Sequence, residues 1–389
     1  MPRPAPPSAP FARLAATAAV AAAVATTAAS CTRGTSVGAG GVPSGAATAA
    51  ATAAATAAAS PARPVAADSG ERHLTNVRQI TFGGENAEAY FSSDGAWLTF
   101  QSTRDGRPCD QQYVMRVDGT GLARVSDGRG KTTCGWFLPG DRRLFFASTT
   151  HAGADCPARP DPSKGYVWGI DPYDIYTVGR DGSDLRRLTH YGVYTAEGVL
   201  SPDGRRIVFT SLKDGDLDIY TMNVDGSDVR RLTTTPGYDG GPWWSPDGTK
   251  IVYRAWHYAP EDSAGLRGYR ELLRQNAIRP NRMELFVMNA DGSEQRQVTR
   301  LGGANFGPSW TPDGRRIIFS SNHRNPRSRN FDLYVVNLDG TGLEQITTNP
   351  EFDGFPMFSP DGRRLVWASN RGASKPGDTN LFIADWREG

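Results

Sequence analysis

The chain has few of the side chains on which catalysis and metal binding usually depend. Its 389 residues include five histidines and four cysteines, and from residue 74 onward neither Gly-x-Ser-x-Gly nor His-Glu-x-x-His occurs. These absences exclude the common serine-hydrolase and zinc-peptidase signatures from that part of the chain. Charge of one sign is not in excess, because 43 basic residues face 41 acidic ones. The composition therefore gives no electrostatic reason to expect nucleic acid as a partner.

A calcium-binding loop is matched only in part. Asp214, Asp216 and Asp218 begin like an EF-hand loop, and Asp225 falls at its twelfth position. Ile219, however, stands where that loop requires glycine for a sharp turn. We therefore predict no cofactor at this segment.

A long apolar run occurs at the N-terminus. Arg3 and Arg13 precede an Ala/Val-rich run at 14–29, which is followed by small residues and Cys31. This order is typical of a secretory signal, so residues 1–30 are predicted to be removed on export. The Ala-Ala-Ser before Cys31 resembles a bacterial lipobox, in which the cysteine becomes lipidated, and cleavage after Ser30 without lipidation is the alternative. Both predict a protein of the periplasm or cell surface, attached to a membrane only through an anchor at Cys31.

Residues 31–70 consist largely of Ala, Thr, Gly, Ser and Pro, with almost no large apolar side chain. Such a segment cannot bury enough apolar surface to offset the entropy lost on ordering. We predict a disordered tether over 31–70 and a folded domain over 71–389.

The folded part repeats a unit with two tight-turn signals. The first is Ser-Pro-Asp-Gly or a variant, as at 201–204, and the second is Asp-Gly, as at 225–226. Apolar runs of strand length lie between them. The first signal occurs six times, and the separation from each second signal to the next first signal is always 22 residues: Gly119 to Asp141, Gly182 to Gly204, Gly226 to Gly248, Gly292 to Gly314 and Gly340 to Gly362.

Repeats of four short strands are typical of propeller blades, so the fold class is predicted to be all-β, a six-bladed β-propeller. All variation in length lies between the second and third strands of a repeat, which predicts that the insertions are loops on one face. We call this the insertion face, and the opposite one, with the Pro-Asp-Gly turns, the turn face. Residues 74–82 match an outer strand, whereas the last repeat ends with its third strand at 381–384. The N-terminal strand is therefore predicted to complete the sixth blade.

The repeated Ser-Pro-Asp-Gly turn, with the strands at 207–209 and 218–220 and the Leu-Thr at 232–233, resembles the propeller of TolB-type periplasmic proteins over about residues 74–386. The resemblance implies the six-bladed fold. It also implies a role in a Tol-Pal-like envelope system with an envelope lipoprotein as partner. TolB proteins carry a separate α/β domain before the propeller, and a low-complexity segment stands in that place here.

Aligning the repeats on their first turn places polar residues near the axis. Small polar or acidic side chains stand nine residues before the turn, Glu88 and Glu197 stand seven before it, and mostly basic side chains stand nine after it. These positions lie at the insertion-face mouth of the central channel. The predicted binding funnel comprises Glu88, Glu197, Asp239, Asn305, Asp353, Arg104, His257, His323 and Arg371.

Two alternatives to a binding funnel are open. In the first, these residues form salt bridges and loop hydrogen bonds within each blade, which contribute little when exposed. In the second, a divalent metal is held by Glu88, Glu197, Asp239 and some of His151, His257 and His323.

Long insertions follow the second strands of blades 2 and 4. The insertion at 151–174 is rich in proline and glycine, and the one at 258–283 carries Leu266, Tyr269, Leu272 and Leu273 at helical spacing. Asp262 and Ser263 precede this pattern and Pro280 follows it, which predicts a capped amphipathic helix. Such a helix either packs on exposed blade edges or forms one wall of a pocket.

The repeats contain Cys109, Cys134 and Cys156. In an exported protein two of these are expected to be oxidised and one left over. We predict a bond between Cys134 and Cys156, because both lie at the insertion-face end of blade 2 and the loop with Cys156 is long enough to reach.

The predicted function is that of an exported, monomeric, non-catalytic binding or scaffold module for an envelope protein or polymer. The resemblance adds Tol-Pal-like transport or envelope integrity as the process. The alternative is a metal-dependent lyase or hydrolase that acts on a polysaccharide or peptide in the funnel. Stoichiometric metal in the purified protein would favour the enzyme.

Overall fold

The computed structural model describes residues 61–388. The predicted signal, the lipidation site at Cys31 and most of the tether lie outside these residues. No helix within 61–388 has the length and hydropathy needed to cross a membrane.

Each repeat folds as a four-stranded antiparallel sheet, because its two turn signals reverse the chain after apolar runs of about six residues. The described chain begins with β1 (Arg63–Pro64) and β2 (Leu74–Gln79). Blade 1 contains β3 (Asn86–Phe91), β4 (Trp97–Ser102), β5 (Gln111–Arg116) and β6 (Ala123–Arg124). Blade 2 contains β7 (Thr132–Phe137), β8 (Arg143–Ser148), then β9 (Trp168–Gly169) within its insertion, β10 (Asp174–Gly179) and β11 (Arg186–Arg187). Blade 3 contains β12 (Thr195–Leu200), β13 (Arg206–Ser211), β14 (Asp218–Asn223) and β15 (Arg230–Arg231).

The second half of the ring follows the same plan. Blade 4 contains β16 (Gly237–Trp244), β17 (Lys250–His257), then α1 (Ser263–Arg274) and β18 (Ala277–Ile278) within its insertion, β19 (Glu284–Asn289) and β20 (Arg296–Gln297). Blade 5 contains β21 (Asn305–Trp310), β22 (Arg316–Ser321), β23 (Asp332–Asn337) and β24 (Glu344–Gln345). Blade 6 contains β25 (Asp353–Phe358), β26 (Arg364–Ser369) and β27 (Asn380–Trp386), and the six-bladed propeller predicted from the repeats is confirmed.

The N-terminal strand completes blade 6, as predicted. β2 pairs antiparallel with β27, with Arg78 opposite Ile383 and Gln79 opposite Phe382. β1 then pairs with β2 as a fifth strand, with Arg63 opposite Gln79. β1 falls within the predicted tether, so the ordered structure begins before the predicted boundary at residue 71.

The core lies between the facing sheets of adjacent blades. Val208 and Ile219 of blade 3, for example, pack with Ile251 and Tyr253 of blade 4, and all four have 0% exposure. Burial of a side chain of this size stabilises the fold by roughly 1.5–3 kcal/mol. Because each blade provides half of two such interfaces, the spacing of the strands cannot vary, whereas the insertion loops can.

Every inner strand contains a bulge at the position seven residues before the Gly, or Asp141, of its first turn. The pairing with the second strand shifts there in all six blades. The residue at the bulge has a left-handed backbone, with φ of 54° at Glu88, 52° at Cys134, 59° at Glu197, 56° at Gly241, 57° at Gly307 and 57° at Phe355. Glycine adopts this conformation freely, and other residues do so at a cost of about 1–3 kcal/mol. The bulges bring these six residues to a common level on the axis, where all of them line one cavity.

The insertions of blades 2 and 4 join to form a cap, which we define as residues 149–173 and 258–283. β9 pairs antiparallel with β18, with Trp168 opposite Ile278, so the cap passes over blade 3. The predicted helix is confirmed as α1, with Asp262 as its N-cap accepting a hydrogen bond from the Gly265 amide at 2.9 Å.

The predicted disulfide is wrong. Cys156 bonds to Cys109, with the Cα atoms 5.9 Å apart, and Cys134 is a buried free thiol. Cys134 occupies the bulge of β7, and its Sγ lies in the axial channel, 2.7 Å from Glu88 Oε2. Cys109 lies in the loop between β4 and β5, within reach of the blade 2 insertion.

Candidate functional site

The axial channel contains a polar tier, which we define as Glu88, Cys134, Glu197 and Arg254. The Cys134 thiol donates to Glu88 Oε2 at 2.7 Å, and the Arg254 guanidinium forms a salt bridge with Glu197. The tier borders a cavity of about 40 Å³, which is space for one or two water molecules. Its charged groups therefore bind mainly one another.

Glu88 is the unusual acid of this tier. Burial raises its pKa to about 7, the nearby Glu197 carboxylate adds to the effect, and the hydrogen bond from Cys134 opposes it. Burial and the Glu88 carboxylate also raise the pKa of the Cys134 thiol well above its usual value. Near neutral pH the Glu88 carboxyl is therefore partly protonated. The Cys134 thiol stays protonated and is a poor nucleophile.

Arg254 is the functional residue that the sequence analysis missed. It lies on β17 opposite Gly240, and its Nε donates to Tyr238 Oη at 3.0 Å. Its guanidinium also stacks on Trp168 of the cap, 5.2 Å from the ring centroid. The signal was available in the repeats, because the other blades carry neutral residues at this register: Gln101, Ala147, Thr210, Ser320 and Ala368.

The insertion-face mouth of the channel is covered by the cap. Trp168 lies over Arg254 and packs edge-on against Phe306, with the ring centroids 5.9 Å apart. Phe306 in turn contacts Phe331 and Phe355, at 4.8 and 5.4 Å between centroids. These aromatic side chains cover part of the polar tier on this face, and Glu88 and Glu197 remain partly exposed to solvent.

The other predicted funnel residues pair within their own blades. His257 Nε2 lies 2.8 Å from Asp239 Oδ1, and Arg371 donates to Asp353 at 2.9 Å. Asp239 and Asp353 have 0% exposure, and burial raises the pKa of Asp353 to about 6. Arg104 likewise donates to Asn86 at 2.8 Å. Asp239 and Asp353 therefore lie beneath the surface, and Glu88 and Glu197 alone among the predicted acids meet on the axis.

Asn305 and His323, the last two residues of the predicted funnel, also form hydrogen bonds within one blade. Ser321 donates to Asn305 at 2.6 Å, and His323 Nδ1 lies 3.0 Å from the same hydroxyl. His151 lies 3.4 Å from Asp174 in blade 2, so the three histidines considered for a metal are each engaged in a different blade. Within residues 61–388, no three His, Cys, Asp or Glu side chains are grouped so as to hold a metal ion.

Below the polar tier, three aromatic rings close the channel. We call Tyr90, Trp136 and Trp243 the aromatic plug. Their centroids lie 5.1–5.4 Å apart, with Trp136 and Trp243 nearly perpendicular at 76°. Such edge-to-face contacts add about 0.5–1.5 kcal/mol per pair beyond burial. Tyr90 Oη donates to Glu88 Oε2 at 3.3 Å, so the plug is bonded to the polar tier.

The turn face carries an open depression beneath the plug, which we call the turn-face cup. It has a volume of about 320 Å³ and receives residues from all six blades. Trp136 and Trp243 form its floor and are half-buried, and exposed turn prolines form its rim. The rim prolines are Pro139, Pro202, Pro246, Pro312 and Pro360.

The repeats also identify the family. Residues 170–260 and 278–386, together just over half of the chain, match the model of the TolB beta propeller domain. The chain belongs to this family. The stretch between the two matched segments contains α1.

Solved structures similar to this TolB-family propeller include a putative TolB from Agrobacterium tumefaciens, with 18% identity, a TM-score of 0.50 and coverage of 78% of this chain and 91% of that one. A gluconolactonase from Xanthomonas campestris has 15% identity and a TM-score of 0.52, with 86% and 97% covered. TolB from Acinetobacter baumannii has 16% identity and a TM-score of 0.49, with 79% and 64% covered. Identities this low show the fold alone. No characterised protein matches the chain by sequence.

Proposed function

We propose that this TolB-family protein is an exported, non-catalytic binding module that holds an envelope protein or polymer in the turn-face cup. The observation that carries the proposal is the difference between the two ends of the channel. The cap covers the insertion-face mouth, whereas the cup of about 320 Å³ faces outward on the turn face. This places the proposed binding surface opposite to the funnel expected from the sequence.

The chemistry of the cup suits a partner that inserts a side chain or a short segment. Half-buried tryptophans at the centre of a concave surface are frequent sites of binding energy in protein interfaces. The proline rim is rigid, so little conformational entropy would be lost when a partner is bound. The cup lies apart from the polar tier, because the aromatic plug separates the two.

A non-catalytic role is supported by the state of the polar tier. Arg254 is paired with Glu197, and Glu88 accepts a hydrogen bond from the Cys134 thiol. A general base needs a reacting proton within hydrogen-bond reach, and the cavity of about 40 Å³ is too small for a sugar or peptide unit. Export and a lipid anchor at Cys31 belong to the proposal, since the tether would hold the propeller near a membrane.

The proposal is tested by placing charge in the cup. Pro246→Glu with Pro312→Glu adds two carboxylates at exposed rim positions and is expected to abolish retention of the partner. Pro350→Glu with Pro376→Glu makes the same change at exposed positions of the insertion face and is the matched control. Each protein is immobilised and exposed in separate arms to solubilised envelope proteins and to purified cell-wall polymer, and retained material is identified by mass spectrometry.

The control pair should retain the same species as the wild type, and both variants should melt like the wild type. Loss of the partner in the insertion-face pair, with retention in the cup pair, would reassign binding to the insertion face. Turnover of a polysaccharide or peptide by the purified protein would refute the non-catalytic role.

A further inference from the structure

A second cavity lies between helix α1 and blade 4, apart from both the channel and the cup. Its volume is about 460 Å³, which is within the usual range of about 300–1,000 Å³ for small-molecule pockets. It is lined by residues of helix α1, by Trp256 and Tyr258, and by the segment before β19. Helix α1 fulfils both of the roles considered for it, because it lines this pocket and its Tyr269 and Leu273 are buried against Leu217 and Tyr238 of blades 3 and 4.

One wall of this pocket is aromatic and held in place. Trp256 and Tyr258 meet edge to face, with centroids 6.3 Å apart at 89°, and Tyr258 packs on Tyr269 at 5.8 Å. Tyr269 Oη donates to Asp216 Oδ1 at 2.6 Å and contacts the Gly237 carbonyl at 3.0 Å. Trp256 and Tyr258 remain only half-buried, so ring surface faces the cavity.

The helix wall carries a glycine that packing does not require. Gly268 lies inside α1, where glycine is about 1 kcal/mol less favourable than alanine. A Cβ added at Gly268 would meet no atom within 4 Å, so a side chain would simply enter open space. Gly265 differs, because a Cβ there would meet the Asp262 carboxylate at 2.4 Å. The missing side chain at Gly268 therefore keeps the pocket wide.

The pocket also contains polar groups that the fold leaves unused. Among the residues described, the Asn281 amide and the Arg282 guanidinium form no hydrogen bond or ion pair with another side chain, and Arg282 lies over Trp256, 5.6 Å from the ring centroid. On the helix side, the Asp262 carboxylate caps α1 and the Glu271 carboxylate accepts from Arg274 and Gln275, and each can accept further hydrogen bonds. Arg279 and Arg282 balance these two negative charges, so the lining favours neither an anionic nor a cationic ligand.

We propose that this pocket binds a neutral saccharide unit of a glycan. A pyranose ring has an apolar C–H face that can pack on Trp256 or Tyr258, and its hydroxyl groups need both donors and acceptors. Asn281 and Arg282 donate, and Asp262 and Glu271 accept. A purely apolar ligand would cover the Asn281 amide and the Arg282 guanidinium without pairing them, and a phosphate would need an excess of positive charge that is not present.

The test uses tetrasaccharides of N-acetylglucosamine and of glucose as probes, titrated into the purified protein and followed by calorimetry and tryptophan fluorescence. The wild type is expected to bind at least one of them at concentrations below about 10 mM. Gly268→Leu fills the cavity from the helix side and is expected to weaken binding by about tenfold or more. Gly153→Leu is the matched control, because Gly153 also has no atom within 4 Å of an added Cβ but lies outside the pocket.

Leucine favours helices, so Gly268→Leu is expected to keep the fold, and Arg282→Gln serves in its place if it does not. The cup variant Pro246→Glu with Pro312→Glu should bind the saccharide like the wild type, which keeps this test separate from that of the turn-face cup. Failure to bind either probe overturns the proposal. Binding that survives both pocket variants overturns it as well.

Discussion

Arg371 donates two hydrogen bonds to Glu71, from Nη1 to Oε2 at 3.1 Å and from Nη2 to Oε1 at 2.8 Å. The two residues are 300 positions apart in the chain. The same guanidinium donates to Asp353 Oδ2 at 2.9 Å, and all three side chains are buried. Glu71 precedes β2 and Arg371 follows β26. The ion pair therefore fastens the N-terminal strand to the last blade at the point where the ring closes.

Arg371→Ala is expected to lower the free energy of unfolding by about 3–5 kcal/mol, because it leaves the buried Glu71 and Asp353 carboxylates without a positive charge beside them. Arg72→Ala is the control: Arg72 pairs with Glu344, but its side chain is 72% exposed. Exposed pairs contribute about 0–1 kcal/mol. Urea unfolding of both variants measures the difference, and equal losses would show that Glu71 and Arg371 are not the fastening of the ring.

Deletion of residues 61–82 removes β1 and β2 and should expose the edge of β27. An unpaired edge strand promotes association with other chains. We expect this truncation to aggregate or to unfold at a much lower temperature, whereas deletion of 32–60 should leave the melting temperature almost unchanged. Light scattering during a thermal melt distinguishes the two. A 61–82 deletion that melts like the intact domain would contradict closure by β2.

The stability should fall as the pH rises through neutrality, in part because of Glu88. Its pKa is raised to about 7 in the folded state from an ordinary value of 4.5, so the folded state holds a proton that the unfolded state has lost. The resulting stabilisation is complete below about pH 4.5 and disappears as the pH rises through about 7. Its size is on the order of 3 kcal/mol.

Glu88→Gln removes this titration while keeping a side chain of the same shape. The free energy of unfolding at about pH 8 minus that at about pH 5 should therefore be less negative in the variant than in the wild type. Other buried acids, such as Asp332 and Asp353, titrate in both proteins and cancel in the comparison. Glu351→Gln, at an exposed position, should behave like the wild type. Parallel pH profiles for Glu88→Gln and the wild type would contradict the assignment.

The disulfide gives a prediction for both connectivity and stability. Non-reducing peptide mapping should recover Cys109 linked to Cys156, and a peptide linking Cys134 to Cys156 would refute the structure at this point. Cys109→Ser with Cys156→Ser opens a loop that spans 47 positions and should lower the free energy of unfolding by about 2–4 kcal/mol. Cys134→Ser should cost less, because the serine hydroxyl can still donate to Glu88.

The sequence predicted the parts of the fold that local chemistry determines. The turn at 201–204 reverses the chain wherever it occurs, and the constant spacing of 22 residues follows from strands packed between two blades. The helix at Ser263–Arg274 was predicted because its cap at Asp262 and its apolar spacing both lie within one short segment. The place of the N-terminal strand followed from the same spacing.

Other features depend on contacts between distant segments and were not predictable in this way. Arg254 of blade 4 reaches Glu197 of the adjacent blade 3, and the two-residue strands β9 and β18 have no pattern of their own. The predicted disulfide failed because the bulge at Cys134, with φ of 52°, places its thiol in the channel. The predicted funnel contained Asp239 and Asp353 because position near the mouth was known from the repeats, whereas their burial was not.

The pairing of β9 with β18 alters how the ring can come apart. In an array of repeats each unit contacts only its neighbours, so local opening spreads from one unit to the next. The insertions of blades 2 and 4 are linked directly by this pairing, and blade 3 lies between these two blades. Blade 3 therefore cannot unfold locally without breaking its contacts with both neighbours and with the cap. Its amides should exchange most slowly with solvent. Local opening of the propeller should then begin in blade 6, on the opposite side of the ring, where β2 pairs with β27.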